Sequence, residues 1–310
     1  MSDPLVVEVT RGSVVESRHD VDVVAVDASG DLVFSRGDAQ RPTLPRSAIK
    51  PVQAVPVARV EHDERRLAIA SSSHGGEPIH VDLVAGWLDD QGGSVDDLEC
   101  GPHSPTHAPS AEALVAAGVA PQRVHNTCSG KHAGFLAVCR ERDLPVRRYA
   151  TWEHPFMRGH VTTAMSELCG VAAPDVPAGV DGCGIPVWTM ALDRLAAGWA
   201  RLDTDDVGGR IYDAMAAHPM LVAGTGRACT RLIEAGAGRV VAKTGAEGVF
   251  AAIDRRDGVA IAIKARDGTT RAAEAAVAWA LAEVGALEPQ PPAPVHNAAG
   301  DLVGEVRVGR

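Results

Sequence analysis

Residues 45–51 read PRSAIKP, which sets Ser47 and Lys50 three positions apart. A serine hydroxyl attacks poorly until a base takes its proton, and a neutral lysine one helical turn away is placed to do that. Burial would favour the neutral amine, because a charge removed from water is disfavoured. The same spacing also arises where a serine caps a helix ahead of a solvated lysine. Further groups must converge on the pair before it signifies catalysis.

Three more stretches offer such groups. SSSHGGEPIH brings three hydroxyls and a histidine into a double glycine after the apolar RLAIA. Read as a strand entering a tight turn, it sets Ser73 and His74 at a cleft edge; read otherwise, it caps a helix starting near Glu77. HNTCSGKHAGF holds Cys128, Lys131 and His132, and GVDGCGIP holds Cys183 between glycines that permit close backbone approach. Two sulfurs and a nitrogen suit Zn²⁺ with one position left open, although the paired Cys and His spacings of structural zinc sites are missing. Metal ligation and free thiols both stay open on these residues alone. Finally, VVAKTGAEG and GVAIAIKARDG carry Lys243 and Lys264 at strand ends, where a lysine is either solvated or reaches over a cleft. S-x-x-K together with K-T-G is shared with the serine acyl enzymes that include β-lactamases and penicillin-binding proteins.

The elements that must position these residues follow from periodicity. The N-terminal LVVEVTRGSVVESRHDVDVVAVDASGDLVFSRGD is a run of short Val-rich strands broken by Gly and Asp turns, which predicts an antiparallel meander. From Ser47 to about Val60 the pattern is apolar and helical, with Pro56 expected to shorten or kink it. Helical patterns fill the middle, among them HVDLVAGWLDDQ, SAEALVAAG, GKHAGFLAVCRER and PVWTMALDRLAAGWARL. Strands return in GRVVAKTG and GVFAAIDRRDGVAIAIKARDG. A long Ala-rich helix, a loop (EPQPPAPVHNAAGD) and a terminal strand then follow. The fold class is therefore α/β of the α+β kind: a mostly antiparallel sheet shared by the two chain ends, with a central helical lobe. On this reading residues 1–310 are one unit, in which 1–75 and 236–310 make the sheet and 76–235 the helical portion.

Composition narrows the partners. The 310 residues are 45% hydrophobic but only 4% aromatic, so Ala, Val, Leu and Ile must fill the core. A formal charge of −10 without a basic cluster argues against nucleic acid and anionic membrane. No signal-peptide pattern opens the chain and no eighteen apolar residues run together, so the expected location is cytoplasmic. In that compartment the six cysteines are expected to be free thiols or metal ligands.

Taken in order, RSAIKPVQAVP, SSSHGGEPIHV, CGPHSP, NTCSGKHAGF, DGCGIPVW, HPMLVAGTGR, AKTGAEGVF and AIKARDG resemble the rhizobial-type, or class 3, L-asparaginase family from about residue 6 to residue 285. The resemblance implies a fold related to serine β-lactamases and glutaminases, a homodimer, and an amidohydrolase converting L-asparagine to L-aspartate and ammonia. It implies Ser47 as nucleophile with Lys50 as base, and Ser73 with Lys264 as a second hydroxyl and amine pair in the same pocket. It also implies zinc held by Cys128, Lys131 and Cys183. Arg46 and Asp181, which flank these positions, are candidates for the substrate's α-carboxylate and α-ammonium, since those charges need opposite partners. The backbone N–H groups of the Gly75–Gly76 turn are candidates for the oxyanion hole. HGGE and the Trp, Thr and Met after GIPV depart from the family pattern and bear on substrate preference.

Three other readings compete. A serine acyl enzyme acting on peptidoglycan or β-lactams explains S-x-x-K and K-T-G but gives the two cysteines and Lys131 no role. A zinc hydrolase with a metal-bound water as nucleophile would reduce Ser47 to a helix cap. An amino-acid-binding module would keep the pocket without the chemistry.

Overall fold

The computed structural model describes residues 2–309. Its main sheet has eight strands, drawn from both chain ends and antiparallel throughout. The strands are β1 (Leu5–Arg11), β2 (Val14–Val26) and β3 (Leu32–Arg36), then, beyond the short ribbons β4 (Pro42–Thr43), β5 (Gly179–Val180), β6 (Pro186–Val187) and β7 (Met190–Ala191), β8 (Val240–Thr244), β9 (Val249–Asp254), β10 (Val259–Ala265), β11 (Ala293–His296) and β12 (Leu302–Val308). Their spatial order is β11-β12-β1-β2-β10-β9-β8, with β3 added on β2. The sheet therefore joins the N-terminal meander to C-terminal strands on both sides, through the β1–β12 and β2–β10 pairs, as the sequence pattern predicts.

Why β9 and β10 read as continuous apolar runs is clear from their surroundings. Consecutive residues from Val249 to Asp254 are all buried, so both faces are covered. The helices Leu192–Leu202 and Thr270–Glu283 both pack against these two strands. β1 has water on one side instead, and there the sequence alternates, with Leu5, Val7 and Val9 buried and Val6 and Glu8 partly exposed.

Several elements differ from the sequence expectation. RLAIA is helical rather than a strand, as part of Glu64–Ala70. Asp63 caps it by accepting from Arg66 N at 3.0 Å, and Leu67 to Ala70 are all buried, so the run never had a strand's alternation. The stretch from Ser47 is a 3₁₀ turn, Arg46–Ile49, followed by the short helices Lys50–Gln53 and Val55–Ala58, each with a proline in its first turn. Pro56 thus ends one helix by starting another. Part of the proline-rich stretch before the last strand is itself strand β11.

The helical lobe lies between β3 and β8 in sequence and packs over the sheet edge where the chemistry-bearing residues collect. Among the described residues, no helix is long and apolar enough to cross a membrane.

Candidate active site

The Ser47 turn is clamped from two sides. Trp199, on the helix Leu192–Leu202, donates its indole N–H to Ala48 O at 2.9 Å. From the other side Gly245, the residue after β8, lies so near that a Cβ there would sit 3.0 Å from Pro45 O and 3.2 Å from Ala48 N. The glycine of K-T-G is therefore what lets the sheet edge approach the turn. Gly245→Ala is expected to push the turn aside and to lower turnover by roughly tenfold to a hundredfold with the fold retained, measured as kcat alongside the melting temperature. Arg46, which precedes Ser47, holds φ +50, a left-handed conformation uncommon for a residue with a side chain.

Ser73 is the point of convergence. Its backbone N–H donates to Val222 O at 3.0 Å, at the end of the helix Pro219–Val222, and that of His74 to Thr127 O at 3.2 Å, so the segment leaving the helix Glu64–Ala70 is tied to two parts of the helical lobe. Ser73 Oγ then receives Lys50 Nζ at 2.9 Å and Lys243 Nζ at 2.8 Å. Lys50 also donates to Ser72 O, and Lys243 to Thr244 O at 2.7 Å. Both lysines are buried, at 1% and 0% exposure, and two ammonium groups on one oxygen repel. Burial brings Lys243 down to about 7, with the nearby Lys50 adding to the effect.

This geometry corrects one expectation and refines another. Ser73 is not paired with Lys264, whose ammonium donates to Glu247 O near the end of β10. Its partner amine is Lys243, two strands away on β8 at the sheet edge. Among the described residues the Lys50 amine makes no hydrogen bond to the Ser47 hydroxyl either; only the Lys50 backbone N–H reaches Ser47, at its carbonyl, and the amine is held by Ser73. Ser47 stays partly exposed at the start of its helical stretch. The Gly76 N–H is likewise committed, donating to His74 Nδ1 at 3.2 Å, which removes it from the oxyanion candidates.

His74 belongs to the frame of the site rather than to its chemistry. With Nδ1 accepting from Gly76, its Nε2–H donates to Ser129 Oγ at 2.9 Å, and Ser129 passes its own proton toward Val124 O at 2.8 Å. Burial, then His80 stacked on it at 4.9 Å, keeps the ring neutral and well below the usual histidine range.

A second cluster adjoins. Asn126 Oδ1 accepts from Cys128 N at 2.9 Å and starts the helix Ser129–Glu141, which carries Lys131 in its first turn. Cys183 sits in the turn joining β5 to β6, closed by Gly184 N to Asp181 O at 2.8 Å. Lys131 Nζ lies 3.3 Å from Cys183 Sγ, and Cys128, Lys131 and Cys183 are all buried. The thiol hydrogen bond from Cys128 holds Cys183 well below the usual thiol range against burial, with Lys131 assisting. Cys128 is pushed up to about 11 by that bond and by burial. Burial opposes the charge on Lys131, but Cys183, Cys128 and Asp181 together raise its pKa. The cluster is thus a thiolate–ammonium pair with a second thiol. Among the described residues no three His, Cys, Asp or Glu side chains gather to hold a metal ion.

Arg46 and Asp181 join the two clusters. Arg46 Nε donates to Asp181 Oδ1 at 2.6 Å, tying the Ser47 turn to the Cys183 turn at the rim of the site.

Comparison with known proteins decides the family. The family model for L-asparaginase II matches residues 7–308.

The chain belongs to the L-asparaginase II family.

It is accordingly an asparaginase-type amidohydrolase, a hydrolase that acts on amides. Comparison with curated proteins gives no match. Among solved structures, this L-asparaginase II family member is similar to a β-lactamase from Mycobacterium bovis, at 18% identity and a TM-score of 0.42 over 85% of this chain and 94% of that one. It is also similar to a mutant of simvastatin synthase from Aspergillus terreus, at 13% identity and a TM-score of 0.37 over 79% and 84%.

Sequence reasoning missed Lys243 as the partner of Ser73, and Gly245 and Trp199 as the clamps on Ser47. The signal for the first two was K-T-G itself. Nothing in the sequence marks Trp199.

Proposed function

We propose that the chain hydrolyses the side-chain amide of L-asparagine to L-aspartate and ammonia, with Ser47 as nucleophile and Ser73 as the hydroxyl that carries its proton to Lys50 and Lys243. The observation that supports this reading is the meeting of two buried lysines, one from the Ser47 helix and one from K-T-G, on a single serine oxygen. A hydroxyl so held can pass a proton to a neutral amine while accepting one from the attacking serine. Ser47 Oγ then adds to the amide carbon, the tetrahedral centre expels ammonia with a proton returned through Ser73, and water hydrolyses the β-aspartyl ester by the reverse route.

Arg46 and Asp181 are assigned to the α-carboxylate and the α-ammonium. They are opposite charges already side by side at the rim, and a zwitterionic amino acid can replace their mutual contact with its own two. Charge-assisted hydrogen bonds of this kind contribute about 1.5–3 kcal/mol, so Arg46→Met is expected to raise KM by roughly tenfold to a hundredfold. Ammonia release from L-asparagine, compared with D-asparagine and with asparagine blocked at either end, tests the assignment. Equal rates on the blocked substrates would remove it.

Ser73 as the nucleophile is the second reading, and its support is that Ser73, not Ser47, carries both amines. Mapping the acylated residue separates the two.

Cys128, Lys131 and Cys183 fit zinc by donor chemistry, since two sulfurs and an amine match its preferences. When bound, zinc would act as a Lewis acid toward the substrate. The chain's own contribution is to surrender protons, because neither an ammonium nor a thiol coordinates well. With Cys183 already thiolate, Lys131 and Cys128 release about one proton each, and zinc affinity is expected to rise about 100-fold per pH unit near neutrality. Competition with a chromophoric chelator between pH 6 and 8 measures this, and a flat affinity would exclude the site. A homodimer acting in the cytoplasm completes the proposal.

A further inference from the structure

We propose, on the relay reading of Ser73, that Glu77 is a positioning residue which sets the Ser73 hydroxyl between Lys50 and Lys243 through the loop after the helix Pro219–Val222. The Ser73 backbone N–H donates to Val222 O at 3.0 Å. What holds Val222 in place therefore helps to hold the hydroxyl. A helix of four residues is too short to fix itself, so its neighbours must do so.

Those neighbours come from the start of the helix Pro78–Asp90. His80 Nδ1 accepts from Glu77 N at 3.1 Å, which leaves the proton on Nε2, and Nε2–H donates to Met220 O at 2.8 Å. Beyond Val222 the Glu77 carboxylate takes over. Its Oε1 accepts from Thr225 N at 2.8 Å and its Oε2 from Thr225 Oγ1 at 2.6 Å. Thr230 Oγ1 closes the loop from behind by donating to Gly224 O at 2.7 Å.

The carboxylate also touches both segments that must stay aligned. Gly224 holds φ +110, and a Cβ there would lie 2.2 Å from Glu77 Oε1, so only glycine lets the loop close on it. On the other side, a Cβ on Gly75, two residues after Ser73, would lie 3.3 Å from the same oxygen. Glu77 is buried, and although burial opposes its charge, the two bonds from Thr225 hold the carboxyl below its usual range. Among the described residues it makes no hydrogen bond to Ser47, Ser73, Lys50 or Lys243, so it acts on them through the backbone it holds.

The test measures kcat and KM for L-asparagine on the full chain, with the folded fraction of each variant read by chemical denaturation. Glu77→Ala is expected to lower kcat by roughly 30- to 100-fold with KM within about threefold, because a hydroxyl displaced by a fraction of an ångström still leaves the substrate contacts in place. Glu77→Gln keeps an oxygen for Thr225 N and offers an N–H to Thr225 Oγ1, so it is expected to restore kcat to within about fivefold of the wild type. In a Ser73→Ala background, Glu77→Ala is expected to change kcat by less than about threefold, since the oxygen it positions is gone. Thr225 is exposed, and Thr225→Val removes one hydroxyl bond without touching the core; taken through the same cycle, it decides the matter where Glu77→Ala unfolds. Effects that multiply with Ser73→Ala, a KM that rises in step with the fall in kcat, or a glutamine variant as slow as the alanine one would overturn the positioning role and leave the relay standing. A wild type inert toward L-asparagine, or Ser73→Ala at wild-type kcat, would overturn the relay and this role with it.

Discussion

Ser47→Ala is expected to abolish ammonia release from L-asparagine, by a factor on the order of 10⁴ or more, while zinc uptake and melting temperature stay near those of the wild type. Its position carries this. Ser47 is partly exposed, on a turn clamped by Trp199 and by the close approach of Gly245, so removing one oxygen disturbs no buried network. Ser73→Ala should behave differently. It removes the oxygen that two buried amines share and leaves Lys50 and Lys243 without it, so it is expected to cost stability as well as rate. Some slow acylation should survive, since the nucleophile remains. Equal and complete inactivation by both changes, with stability unaffected in both, would not fit a nucleophile and relay.

Lys243→Met is expected to lower kcat by roughly 10²–10⁴ and to remove the acid limb of the pH profile. Burial holds the folded-state pKa of Lys243 near 7, below its ordinary 10.5. The amine is therefore charged below about pH 7 and neutral above it, and activity that needs a neutral amine falls as pH drops through 7. The linkage to stability has the opposite sign from an ion-paired lysine. Between about pH 7 and 10.5 the unfolded chain binds the proton that the folded chain releases, so wild-type stability rises with pH across that window. Methionine of similar length removes the buried amine, and the variant is expected to be more stable near pH 7 by on the order of 2 kcal/mol, read from chemical denaturation. A variant that is less stable and keeps its acid limb would show that Lys243 is charged and structural.

How legible this was depends on the element. The shared antiparallel sheet follows from Val-rich strands at both chain ends, and the helix Thr270–Glu283 from its Ala-rich pattern. RLAIA misled because a buried helix of seven residues and a buried strand have the same apolar run, and only the Asp63 cap distinguishes them. The lysines show a subtler limit. Lys243 and Lys264 both close strands, and spacing alone does not say which strand lies at the sheet edge beside the Ser47 turn. Strand order decides it: β10 is interior, between β2 and β9, whereas β8 is terminal and faces the helical lobe. The glycine after Lys243 was the available clue, since a close approach to another backbone needs a residue without a Cβ. Cys128, Lys131 and Cys183 were all singled out from sequence, but their meeting depends on a hairpin turn that brings Cys183 to Lys131 across 52 positions of chain, which periodicity does not encode.

The most direct measurement of the central claim is rapid-quench peptide mapping of the wild type mixed with L-asparagine. Cleavage after Arg46 puts Ser47 on a peptide that ends at Arg59, whereas Ser73 lies beyond Arg66, so trypsin separates the two serines. A β-aspartyl ester on the Ser47 peptide, formed and lost at rates consistent with turnover, is the predicted result. The ester on the Ser73 peptide, or steady turnover with neither serine modified, would contradict it.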